Sequence, residues 1–169
     1  MVPNDFHLYF QALVGAAGGL IGLLFVAVSL RPDSVFGSKA SARGQALAGS
    51  AFTGLVNAFF VSLVALMPNT DVGEVAVVMA LLGLWHTVRE RRGFSKNPLN
   101  ITSTLLIVAA LLYQVEVGAV LIASSRAPGA VATLAVLLLI SVAASLSRAW
   151  LLLQGRHLVR DPSAEPADE

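Results

Sequence analysis

Five long apolar runs, none with period-two alternation, constrain this chain more than any other feature. They extend from about Leu8 to Leu30, Ala46 to Met67, Val72 to Val88, Ile101 to Ser124 and Ala127 to Leu153. A helix needs roughly 17–25 mostly apolar residues to cross the hydrocarbon core, so four runs clear that length and the third meets its lower limit. The core offers the backbone no water to bond with, and an unalternating run of this length satisfies its own amides only as a helix. The predicted fold is therefore all-α: a polytopic membrane protein with a bundle of five transmembrane helices within residues 1–153, and a disordered cytoplasmic tail over 154–169. Composition agrees, with 56% hydrophobic and 12% charged residues, the latter about half the share of a soluble domain. The flank of the first run, Met1 to His7, has no basic residue and carries Asp5. It is therefore expected to be a permanent span and not a cleaved signal peptide.

Charge sets the expected orientation, because Lys and Arg stay on the cytoplasmic side. Arg31, Lys39 and Arg43 lie between the first and second runs. Arg89, Arg91, Arg92 and Lys96 lie between the third and fourth, and Arg148, Arg156 and Arg160 follow or close the fifth. Of the 11 Lys and Arg residues, Arg126 alone falls on the other side. The N-terminus is thus expected outside and the C-terminus cytoplasmic. Trp85 and Trp150 near the inner ends, with Phe6 and Tyr9 at the outer end, fit the interfacial preference of amphipathic rings. The short connections Pro68–Asp71 and Ser125–Gly129 make the second and third helices, and the fourth and fifth, antiparallel neighbours.

Glu116 is the first candidate for function. An acidic residue near the centre of a span costs about 2.5–3.5 kcal/mol, so it is expected to face the bundle or a cavity, as a proton or cation site or as a helix-to-helix bond. Asn57 and Thr133 lie at comparable depth in their own spans, which makes a polar cluster of Glu116, Asn57 and Thr133 geometrically available. Each of them bonding separately across helices is the simpler expectation. The first span carries a small-residue stripe: Gln11, Gly15, Gly18, Gly22 and Ser29 recur at helical spacing, and Gly15/Gly19 and Gly18/Gly22 are overlapping Gly-x-x-x-Gly pairs. Glycines admit a second backbone to close approach. The stripe is therefore expected either to pack the first span against the second, where Ala46, Ser50 and Gly54 repeat the theme, or to serve as a dimerisation or partner face.

Other chemistry finds little support. The chain has no cysteine, which excludes disulfides and thiolate metal sites. His86 and Glu90 share a helix face but lack an evident third ligand, and His7 and His157 fall on opposite sides, so no metal and no cofactor is expected. The basic run from Arg89 to Lys96 fits topology and anionic lipid, not nucleic acid. No zinc-protease, nucleophile-elbow or phosphate-loop motif occurs, and no catalytic residue is expected.

The stretch Tyr9-Phe10 through Gly15-Ala16-Ala17, then Gly22-Leu23-Leu24-Phe25-Val26-Ala27-Val28-Ser29, resembles the first span of a loose group of small bacterial membrane proteins. Some of these carry a label as modulator of FtsH protease. The resemblance covers about one span, with a basic loop and a small-residue second span after it. It implies a bacterial cytoplasmic membrane and no particular activity. The expected function is that of a non-enzymatic accessory, modulator or scaffold acting through helix–helix contacts, with the lipid bilayer and a homodimer or larger membrane complex as partners. The alternative is a small proton- or cation-coupled transporter or channel using Glu116.

Overall fold

A computed structural model describes residues 2–30, 42–91, 98–124 and 128–154. A single 3-10 turn, Asn4–Phe6, leads into α1 (His7–Ser29), followed by α2 (Ala42–Ala65), α3 (Val72–Arg91), α4 (Pro98–Ala123) and α5 (Pro128–Gln154). All five helices are long and apolar enough to cross a membrane. Their outer surface is apolar too, with Leu82, Leu106 and Ile140 each more than half exposed. A soluble bundle would carry charge at such positions, and the five apolar helices suggest a multi-pass membrane protein. The expected tail beyond Gln154 lies outside the described residues.

Local chemistry explains the helix ends. The Asp71 carboxylate accepts the Gly73 backbone N–H at 2.9 Å, the bond by which an N-cap residue satisfies an orphan donor of the first turn. Pro98 and Pro128 open α4 and α5, where the missing N–H costs nothing and the fixed φ is already helical. After α2, Leu66 and Met67 donate to Leu63 and Val64 in the tighter i−3 pattern that often closes a helix. Asn69 then takes a positive φ of 60°, which asparagine tolerates better than most residues. The Thr70 hydroxyl spans the carbonyls of Met67 and Val64 at 2.8 and 3.0 Å. The result is the compact α2–α3 turn; the bundle end that holds it is called here the Asp71 end.

α2 and α5 form the centre. α1 lies against α2 and, more lightly, α5, while α3 bridges α2 and α4 and α4 closes back on α5. The α1 face turned inward is Phe10, Leu13, Ala17 and Leu24, a helical spacing. Phe25 of α1 meets Phe52 of α2 edge-on at 5.6 Å. At the Asp71 end the Tyr9 hydroxyl donates to the Ala135 carbonyl of α5 at 2.6 Å.

The closest backbone approach belongs to α3 and α4. Gly73, Ala76, Ala80 and Gly83 recur along α3, and both alanines are fully buried. A Cβ on Gly73 would stand 2.6 Å from the Gly118 carbonyl oxygen, and a Cβ on Gly118 would stand 2.7 Å from Val77 Cγ2 and 2.9 Å from the Gly73 oxygen. Each glycine is thus the room the other needs. Gly54 of α2 plays the same part against Ser145 of α5, whose hydroxyl occupies the place of a missing Cβ.

Overpacking of this kind costs roughly 1–3 kcal/mol. Gly73→Ala and Gly118→Ala are expected to lower unfolding stability in detergent by about that amount, whereas Gly15→Ala, with nothing within 4 Å, should leave it unchanged. Denaturant titration followed by circular dichroism makes the comparison, and equal effects at the three positions would contradict the packing described.

Candidate functional site

The most concentrated polar chemistry in the interior is a pair of amides. Asn57 of α2 and Gln114 of α4 are 3% and 1% exposed. Asn57 Nδ2 donates to Gln114 Oε1 at 2.9 Å, and Gln114 Nε2 donates back to Asn57 Oδ1 at 3.0 Å. The second Gln114 N–H reaches the Ala76 carbonyl of α3, also at 3.0 Å. Three helices are tied at one level by groups that carry no charge and leave neither Gln114 donor unused. The Ala76 side chain is only a methyl and does not hold Gln114 away from the carbonyl, so the small-residue seam of α3 also makes the third bond accessible.

The remaining hydroxyls mostly serve their own helices. Thr53, Thr87, Thr133 and Ser147 donate to the carbonyls of Gly49, Gly83, Gly129 and Ala143, four residues back, the ordinary arrangement for such residues within helices. Ser62 and Ser145 are fully buried and their hydroxyl oxygens have no partner among the described residues. At the opposite bundle end the Arg89 guanidinium lies over the Trp85 ring at 5.3 Å, which pairs a cation with an aromatic face.

Glu116, Asn57 and Thr133 do not form one cluster. Asn57 is spoken for by Gln114, and Thr133 is bonded to Gly129 within α5. Glu116 is exposed on the perimeter of α4 and does not face the bundle. The reason is rotational: Gln114 and Glu116 stand about 200° apart around one helix, so only one of them can point inward, and the amide does. The glycine stripe is corrected in the same way. Gly15, Gly19 and Gly22 have nothing within 4 Å, and Gly18 alone approaches α2, where an added Cβ would meet the Phe59 ring at 3.4 Å. α1 does pack on α2, with Phe10, Leu13 and Ala17 in the core and Gly18 the one glycine of the four that meets it. Among the described residues no group of three or more His, Asp and Glu could hold a metal ion, so His86 gains no ligand set there.

Gln114 and the α3 seam were the residues that sequence reasoning missed. Gln114 shares a stripe with Leu111, Val117, Gly118 and Leu121, all buried, and the glycine within that stripe was a legible sign of a packed face. No protein-family model, curated protein or solved structure matches this chain.

Leaving one partner of a buried pair unsatisfied costs roughly 1–3 kcal/mol, while polar contacts between membrane helices average nearer 0.6 kcal/mol. Asn57→Leu and Gln114→Leu are each expected to destabilise the bundle within that range. The double variant should be less damaging than the sum, since both amides then leave together. Glu116→Gln should have no effect on stability. A double-variant cycle showing strict additivity would contradict the amide exchange.

Proposed function

We propose that this chain is a multi-pass protein of a bacterial cytoplasmic membrane, acting without catalysis as an accessory, modulator or scaffold through helix–helix contacts. The observation that carries this reading is where polarity and small residues fall. Inside the bundle the amides close on one another and on a backbone carbonyl, and both are buried, so they serve cohesion between helices. On the perimeter lie Glu116, Gln11 and the face of Gly15, Gly19 and Gly22, which the single chain leaves uncovered. The likeness of the first span to small bacterial membrane proteins, some labelled as modulators of a protease, points the same way. Among the described residues no ionisable side chain is buried in the bundle, and Glu116, on which the transporter reading rests, is outside it.

The orientation belongs to the proposal as well: N-terminus outside, C-terminus cytoplasmic, on the asymmetry of Lys and Arg. The native chain has no cysteine, so single reporters are clean. Asn69→Cys is expected to react with an impermeant maleimide in intact cells, and Ser163→Cys only after the membrane is opened. The reverse pattern would overturn the orientation.

Purification from native membranes in mild detergent tests the role. The tagged chain is expected to carry a second integral membrane protein in fixed stoichiometry. Gly15→Leu with Gly19→Leu should reduce that recovery at least several-fold without loss of stability. Recovery of lipid and self alone across several detergents would contradict an accessory role.

A further inference from the structure

Two long polar side chains on the perimeter of apolar helices find no partner among the described residues. Gln11 in α1 and Glu116 in α4 are both exposed, and neither makes a hydrogen bond or ion pair among the described residues. Counted along each helix from its own terminus at the Asp71 end, they sit at similar depth. Gln11 follows His7 by four residues, so it lies about 6 Å along α1, and Glu116 precedes Ala123 by seven, about 10 Å along α4, at 1.5 Å per residue. Two long side chains close a difference of that size. The helices that carry them occupy opposite flanks of the bundle: α1 packs on α2 and α5, and α4 on α3 and α5. The two residues therefore cannot meet within one chain.

The surfaces around them are complementary in shape as well as chemistry. Gln11 shares its side of α1 with Gly15, Gly19 and Gly22, where a Cβ on any of the three would touch nothing. Glu116 shares its side of α4 with Ala109, Leu112, Val120 and Ala123, all exposed. The same count along both helices places Leu112 about 16 Å from the Asp71 end, between Gly15 at about 12 Å and Gly19 at about 18 Å. A large side chain thus stands level with a hollow, and a carboxyl acceptor stands near an amide donor.

We infer that the α1 face of one copy receives the α4 face of the next, in a head-to-tail contact between copies of this chain. The contact joins two different surfaces, so it repeats around a closed ring or along an open row. A second copy is the occupant because one chain carries both halves of the match, at one depth and on opposite flanks, and a bilayer holds all copies in the same orientation. A two-fold seam of α1 on α1 would leave Glu116 facing lipid. A seam of α4 on α4 would set two carboxyls together and leave Gln11 alone. The inference rests on the reading that this protein acts through helix contacts, and it names one such contact.

The test uses the full chain in its native membrane, with Gly15→Cys in one tagged copy and Leu112→Cys in a second, co-expressed and treated with a short bis-maleimide. Both positions face away from their own bundle, and Gln11 and Glu116 stay intact. The mixed product is expected to dominate, to fall several-fold when Glu116→Ala is added, and to return with Glu116→Gln, which still offers an acceptor. Products joining Gly15→Cys to itself or Leu112→Cys to itself, or no product, would overturn the head-to-tail contact. The unmodified chain in lipid nanodiscs gives the second readout by native mass spectrometry: assemblies of two or more copies are expected, and a monomer alone overturns the inference. A different partner recovered without the mixed product would remove this contact and leave the accessory role standing.

Discussion

The Asn57–Gln114 amide exchange is the interaction around which the interior is arranged. In a low-dielectric interior a hydrogen bond is strong and an unpaired polar group is costly, so the two residues fix each other's position and the rotation of both helices. Gln114 turned inward sets the phase of α4: Leu111, Val117 and Leu121 follow it into the core, and Glu116 is carried outward. Its third bond, to the Ala76 carbonyl, requires α3 to come close. Gly73, Ala80, Gly83 and Gly118 allow that approach, and the α3–α4 interface is accordingly the most extensive in the bundle.

Helix number and type were legible in the sequence, because the length of an apolar run and the absence of alternation are backbone arguments. The phase of each helix was not. In a soluble helix the contrast between apolar and polar faces tells which side is inside, but lipid is as apolar as leucine and that contrast vanishes. Glu116 was therefore placed inward on cost alone, and Gln114, two positions away, decided the matter. Small residues mark packed faces only when the competing faces can be ranked. The glycines of α1 are more conspicuous than Gly73, Ala76, Ala80 and Gly83, yet the α3 series is the one that meets a neighbour. Asn57 was expected to bond across helices, and it does; its partner required knowing which side of α4 it faces.

The outward turn of Glu116 changes what the perimeter means. With the interior amides bonded to one another and to the Ala76 carbonyl, the long polar side chains that still lack a counterpart among the described residues are Gln11 and Glu116, on the outside of one copy beside an open glycine face. The proposals about partners follow from that distribution. An interior built only for cohesion and an exterior with polar groups in apolar surroundings is the expected division of labour for a protein that works by lateral association. It also explains why no pathway through a single bundle follows from Glu116.

The central claim is that the Asn57 and Gln114 amides bond to each other within the bundle, and side-chain amide spectroscopy in lipid tests it most directly. Solid-state NMR of bilayer-reconstituted chain with labelled Asn and Gln is expected to show a through-space correlation between the two side-chain amides. Their protons should exchange with deuterated water far more slowly than those of Gln45 near the start of α2. Absence of that correlation, with a Gln114 amide that exchanges freely, would contradict the inward phase of α4 and everything built on it.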